Sequence, residues 1–409
     1  MTRAAKEKYH GTSATSEVRE FRIRMGMELD LMNLWFGKTA DYFKQFISDQ
    51  TIGMARINRF DFTTLPINLL YLLYYEYRRN EKESLNFSFF EYGKNSNGNP
   101  DDDRWEMYLE LQEMYAILQR WYNDKELYHY LGFLFFNFKA QTPFRDIYTQ
   151  WKALNSRDKF LKDIQHTIAT RMLDRYLEET EKAAPDYQKC LKTMTEAISD
   201  FRENWYNNDK ELYQILILLD IFRILDSKSI KKLPTDYFTR KTGQKDGEDK
   251  EHILSQTPRK DNGEIATIKT DWERFAQSED FKDIRSQMQE ILNHSDAELT
   301  EQELTQLQNL LNSAGLNSIG NMVLLDLRIN RSYGNADYAH KRTIIFQEYM
   351  NQKYVRPHTL AVFMKGDIDA REATGIPLNR WTLEDIKRNT DKIAKEIGKN
   401  FNAWLTQNN

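Results

Sequence analysis

Leu316-Asn317-Ser318-Ile319-Gly320-Asn321-Met322-Val323-Leu324-Leu325 is the stretch on which the reading of this chain turns. After Gly320, Met322 to Leu327 forms a short apolar, partly β-branched run, which predicts a strand. Asn330-Arg331-Ser332-Tyr333-Gly334-Asn335 follows and is rich in turn residues. Ala336 to Met350 then reads as a helix, with Ile344, Ile345 and Tyr349 apolar and Lys341 and Arg342 basic. Far upstream, Glu251-His252-Ile253 is expected to close an earlier strand. The order is strand, strand, turn, helix.

The polar residues on this frame suit one kind of chemistry. An acidic residue beside a histidine, an asparagine at the end of an apolar strand, and a second asparagine nine positions on have the spacing of an HNH (ββα-metal) centre. Phosphodiester hydrolysis needs an activated water, a base, and a cation on the phosphate and leaving oxygen. Histidine titrates near neutral pH, so His252 suits the base. Glu251 is its neighbour on an extended segment, where successive side chains point to opposite faces. Magnesium takes oxygen ligands and keeps several waters, so Glu251 and the amide oxygen of Asn330 suffice as protein ligands. Asn321 is expected to fix the imidazole or the loop that carries it. Singly, a Glu-His pair or a Gly-Asn pair is more often a strand edge or a turn. The combination in this order carries the reading.

The long separation of His252 from Asn321 requires an insertion between the two strands. Trp272 to Leu292 reads as a helix, with Phe275, Phe281, Ile284, Met288 and Ile291 near helical spacing. Ser295 with Glu298, and Thr300 with Glu303, have capping-box spacing ahead of Leu304, Leu307, Leu310 and Leu311.

These motifs resemble a known family. Glu251-His252-Ile253-Leu254-Ser255-Gln256, Ile319-Gly320-Asn321-Met322-Val323-Leu324-Leu325, Asn330, Gly334-Asn335, Tyr338 and Lys341 are similar to the C-terminal HNH domain of GmrSD-type, modification-dependent (type IV) restriction nucleases. Met322-Val323 stands where that family has Leu-Thr, and Tyr338 where it has Phe; neither change removes a polar atom needed for catalysis. The resemblance implies His252 as base, Asn321 and Asn330 as the other motif residues, and Lys341 near phosphate. Val355-Arg356-Pro357-His358-Thr359-Leu360 and Trp381-Thr382-Leu383-Glu384-Asp385-Ile386 are similar to later segments of the family. Trp121 to Leu134 resembles its helical middle region.

The fused proteins of that family begin with a ParB-like nucleotide-binding domain carrying an Asp-Gly-Gln-Gln-Arg motif. Neither that motif nor a Walker-type phosphate loop occurs in these 409 residues. Beside the resemblance, this is expected of one half of a split system, with a separate ParB-like nucleotide-binding subunit as partner, or of a truncated gene.

Composition bounds the rest. The length supports two or three domains, and 40% hydrophobic with 13% aromatic residues describes a globular chain. Cys190 is the single cysteine, which excludes an internal disulfide framework and a thiolate zinc site. It fits a reducing cytoplasm and a packing role. Leu65 to Tyr75 and Leu212 to Leu225 are too short to span a bilayer, and Asp220 interrupts the second, so no membrane association is expected. A net charge of −4 argues against a DNA-coating protein but leaves room for a local basic face.

Glu17 to Asp236 reads as mostly helix. Phe160, Ile164, Ile168 and Met172 recur at four-residue spacing, and Thr193, Ile198, Phe201 and Trp205 continue such a pattern. The aromatic residues from Trp105 to Tyr130 are read as core rather than as a stacking surface, and His129 as a hydrogen-bonded core histidine. Gly93 to Arg104 reads as a loop.

The expectation is a mainly α protein with a small ββα-metal (HNH) unit. Residues 1–16 are expected to be disordered, 17–238 to form a helical domain, and 239–409 to form the HNH domain with its insertion at about 271–313. The expected activity is DNA cleavage with Mg²⁺ or Mn²⁺, directed at foreign phage DNA. His252, Glu251, Asn321 and Asn330 are the catalytic set, Glu251 and Asn330 the metal ligands, and Lys341 and Arg342 the phosphate contacts. The alternative is a non-catalytic interaction subunit of a split restriction system; a third reading is an RNA-targeting toxin.

Overall fold

A computed structural model describes residues 14–58, 60–79, 84–86, 89, 100–228, 232–241, 247–255, 257–258, 264–278, 281–329, 338–365 and 379–407. Among these residues the fold is mainly helical, with one two-stranded sheet. The helices are α1 (Ala14–Phe43), α2 (Asp49–Ile57), α3 (Asn68–Arg78), α4 (Pro100–Asn123), α5 (Lys125–Asn137), α6 (Phe144–Leu154), α7 (Arg157–Leu173), α8 (Tyr187–Ser199) and α9 (Asp209–Asp226). Strand β1 (Glu248–His252) follows, then α10 (Lys269–Ala276), α11 (Arg285–Asn293) and α12 (Glu301–Ser313). Strand β2 (Met322–Asp326), α13 (Tyr338–Met350), α14 (Pro357–Met364) and α15 (Leu383–Thr406) complete the chain. No helix among the described residues is long and apolar enough to cross a membrane.

The chain divides into two compact units, residues 1–165 and 166–409. The first is held by an aromatic core. Phe46 stacks on Phe135 with centroids 3.8 Å apart, and Trp121 stacks on Phe160 at 5.5 Å. Tyr108, Trp121, Tyr128 and Tyr130 are buried, as helical spacing of large apolar surfaces requires. His129 is fully buried and its Nδ1 lies 2.5 Å from the Lys125 carbonyl. Helix α4 begins at Pro100, inside the stretch whose Gly, Asn and Pro content suggested a loop. Proline suits a first helical turn, where its missing N–H has no partner to lose.

The second unit holds the sheet. Within it, α9 and β1 are tied together. Arg356, at the start of α14, donates Nε and Nη2 to the Glu248 carboxylate at 2.7 Å each. Its Nη1 reaches Asp220 of α9 at 2.8 Å. The other Asp220 oxygen accepts the His358 N–H at 2.8 Å. Arg356 is 2% exposed and Asp220 is fully buried, so α9 is not a mere apolar rod: its buried Asp220 is the anchor. Burial pushes the Asp220 carboxyl up to about 6, against the pull of Arg356.

Among the described residues, the insertion between the strands contains three α-helices, where two were expected. The single helix read from Trp272 to Leu292 is broken. Arg285 folds back and donates to the carbonyls of Ala276, Gln277 and Ser278, which caps α10 and starts α11 in a new direction. Thr300 and Glu303 do form a capping box on α12. Ser295 and Glu298 do not form one: Ser295 donates to the Ile291 carbonyl, and Glu298 bridges to Ile268. Trp272, Met288, Leu292, Leu307 and Leu311 pack with Ile253, Val323 and Leu325 in one core. Helix α8 ends at Ser199, so Phe201 and Trp205 do not extend it; Trp205 lies in a short turn. Cys190 is buried in α8. Residues 1–13 lie outside the described residues, and Ala14 to Ser16 already belong to α1.

Candidate functional site

Strands β1 and β2 run antiparallel with Glu251 opposite Val323 and His252 opposite Met322. This register brings the Glu-His pair against the Gly320-Asn321 turn despite their distance in sequence. The turn is locked from two sides. Asn321 is fully buried, and its Oδ1 accepts the Leu254 N–H at 2.8 Å. Its Nδ2 donates to the carbonyls of Leu254 at 3.0 Å and Leu316 at 2.9 Å. The Asn321 carbonyl also accepts the Ile253 N–H at 2.9 Å. Asn321 thus clamps the loop just after His252 through its side-chain hydrogen bonds. On the other side α15 lies directly on Gly320: a Cβ there would come within 2.3 Å of the Ile386 carbonyl and 2.6 Å of the Thr390 nitrogen. Only glycine allows this approach.

His252 and Glu251 lead to different neighbours, as alternation along a strand requires. His252 is 8% exposed. Its Nε2 lies 2.9 Å from Oδ1 of Asn317. Asn317 Nδ2 donates to Asn312 Oδ1 at 2.6 Å, and its backbone carbonyl accepts the Trp205 N–H at 2.9 Å. The imidazole stacks on Tyr206 with centroids 4.8 Å apart and planes 18° from parallel. The Lys250 ammonium lies 4.1 Å from the same Tyr206 ring, and Lys250 also reaches the Tyr206 carbonyl and Asp209. Lys250 and His252 are two apart on the strand, so both face this tyrosine.

Glu251 meets α13. Its Oε1 accepts from Lys341 Nζ at 2.8 Å, and the same ammonium donates to the His252 carbonyl at 2.7 Å. Lys341 is fully buried, whereas 19% of the Glu251 side chain is exposed. Lys341 was expected at a phosphate; its ammonium is turned inward onto the strand. Arg342 donates Nε to the Phe363 carbonyl at 2.9 Å, and its guanidinium lies over Phe346. It is half-buried. Asn330, with Gln256, Gly334 and Asn335, lies outside the described residues.

The structure therefore gathers Glu251, His252, Asn321 and Lys341 at one point. Asn317, Asn312 and Tyr206 belong to the same point and were not singled out from the sequence. Asn317 stands in the very stretch that opened the reading, but residue type and spacing do not reveal which asparagine in a turn faces a histidine. Among the described residues, no group of three or more His, Cys, Asp or Glu side chains is placed to hold a metal ion. The donors present are one carboxylate and one imidazole, and magnesium can be held by few protein oxygens.

Residues 195–396 match the C-terminal domain of the GmrSD restriction endonucleases. This segment is a GmrSD-type C-terminal domain. It begins in α8, before the expected boundary at residue 239, and takes in the Trp205-Tyr206 turn, both strands and α13. The GmrSD-type domain thus contains every described residue of the site. No curated protein and no solved structure matches the chain.

Proposed function

We propose that the GmrSD-type domain is an HNH-type, metal-dependent endonuclease that cleaves DNA. The observation that carries this reading is the β1–β2 register, with Glu251 and His252 held beside the Asn321 clamp. A carboxylate and a histidine on neighbouring residues of a rigid strand supply the cation ligand and the base that phosphodiester hydrolysis uses.

Each side chain then has a task. Asn317 Oδ1 accepts the hydrogen bond that His252 Nε2–H donates, and its own amide orientation follows from donating to Asn312. That tautomer makes Nδ1 the basic nitrogen of the ring, which takes the proton from the attacking water. Tyr206 keeps the ring plane fixed. Asn321 holds the loop after β1 so that the imidazole cannot drift. Glu251 would hold the cation with Asn330, using the carboxylate oxygen not engaged by Lys341. When bound, Mg²⁺ or Mn²⁺ would polarise the scissile phosphate and stabilise the leaving oxygen. Lys341 offsets the charge of Glu251 while the strand is buried. Of the two basic residues expected at phosphate, Arg342 is the better placed, because it is half-buried rather than enclosed.

In this reading the substrate is foreign phage DNA, and a separate ParB-like nucleotide-binding subunit gates the activity. Incubation of duplex DNA with the purified chain and Mg²⁺ tests it, with EDTA and an RNA competitor in parallel and with the candidate subunit added or omitted. Cleavage lost with EDTA and undiminished by RNA supports the proposal. RNA cleavage in preference to DNA would move it to an RNA-targeting toxin. No cleavage under any condition, with metal binding demonstrated, would favour a non-catalytic interaction subunit.

A further inference from the structure

Helix α1 carries two apolar stripes. Met25, Met32, Phe36 and Phe43 share one face and are buried in the core of the first unit. Ile23, Met27, Leu31 and Leu34 share the opposite face, at the three- and four-residue spacing of a helix. Each of these four is between 54% and 62% exposed. Among the described residues, four of the eleven exposed large hydrophobic side chains therefore lie on this one stripe. Single exposed apolar residues are ordinary, but a continuous row opposite a buried face marks a surface made to be covered.

The ends of the row say what covers it. Glu20 stands three residues before Ile23 and Lys38 four residues after Leu34, on the same face and both exposed. The row thus reads acid, four apolar residues, base. Positions 20 and 38, 23 and 34, and 27 and 31 lie in pairs about its middle. Glu20 lies 3.5 Å from Arg24, an exposed pair that holds it only weakly.

We propose that this face of α1 pairs with the same face of a second copy of the chain, the two helices running antiparallel. A two-fold axis at the middle of the row sets Ile23 against the partner's Leu34 and Met27 against the partner's Leu31. It also sets Glu20 against the partner's Lys38, at both ends at once. A parallel pair would oppose acid to acid and base to base, which like charges disfavour. The row is about 27 Å long from Glu20 to Lys38, a small interface, so a Kd on the order of 10 μM is expected. The inference concerns the first unit and does not rest on the nuclease reading.

Sedimentation equilibrium of the full chain at low salt tests it. The apparent mass should rise from one chain toward two as concentration passes through the micromolar range. Leu31→Glu with Leu34→Glu should weaken association about tenfold or more. Met350→Glu, at an exposed apolar residue of α13, should leave it unchanged. Glu20→Lys and Lys38→Glu should each weaken it about fivefold, and the two together should restore it. Only the antiparallel pairing predicts that rescue. A chain that stays monomeric throughout, or a dimer indifferent to Leu31→Glu with Leu34→Glu, overturns the proposal. Single charge reversals that weaken the dimer without rescue in the double variant overturn it as well. So does a monomer that takes up the candidate nucleotide-binding subunit through this row, which would give the face to that partner instead.

Discussion

The Nε2 of His252 lies 2.9 Å from the side-chain oxygen of Asn317, a residue in the turn just ahead of β2. A carbonyl oxygen in that place accepts an N–H and fixes the tautomer of the ring. It is a positioning contact, and it can be separated from binding. Asn317→Ala should lower turnover by about 10–100-fold, the usual cost of losing a partner that orients a histidine. DNA affinity should stay unchanged. Asn317→Asp keeps an acceptor and should recover part of the turnover. A loss confined to KM would count against the positioning role.

Asn321 is expected to matter for stability before it matters for chemistry. Asn321→Leu strands the Leu254 N–H and two carbonyls in the core, each worth about 1–3 kcal/mol when unsatisfied. Chemical denaturation should show a loss of about 2–5 kcal/mol. Gly320→Ala forces α15 off the turn and should cost about 1–3 kcal/mol by overpacking.

The Lys341–Glu251 pair is half enclosed: the ammonium is buried and the carboxylate partly exposed. Lys341→Met leaves the His252 carbonyl without its donor and Glu251 without its countercharge. A loss of about 1–3 kcal/mol is expected. A double-mutant cycle with Glu251→Gln should return a favourable coupling. Zero coupling would mean that the pair holds nothing in place.

The strands and their polar residues were legible because the signals are local. Gly320 marks the turn, the apolar run after it marks β2, and the helix read at 336–350 is α13 from Tyr338. Phe160, Ile164, Ile168 and Met172 at helical spacing are all buried in α7. What escaped depends on contacts that spacing does not encode. Arg285 breaks a helix by turning back on carbonyls of the preceding one. Tyr206 and Asn317 meet His252 only through the fold. Arg356 was noticed as part of a family segment, but its bond to Asp220 crosses a long stretch of chain, and it ties α9 to the sheet.

That buried triad has a pH signature. Asp220 is raised by burial to about 6, against about 4 for an unfolded carboxyl. The folded state therefore takes up this proton first as the solution is acidified. The Asp220 contribution to stability rises as pH falls through about 6, levels off near 4, and is lost again on returning to neutrality. Melting curves of the wild type and Asp220→Asn between these limits should differ in slope by up to one proton. Parallel slopes would remove Asp220 as the titrating group.

The central claim is that His252 is the base of a DNA-cleaving centre. Single-turnover cleavage of plasmid DNA with Mg²⁺ or Mn²⁺, comparing wild type with His252→Ala, tests it most directly. The expected result is cleavage by the wild type and a fall of about 10²–10⁴-fold in the variant, the range for losing a general base. His252→Ala cleaving as fast as the wild type, while still folded, would contradict it.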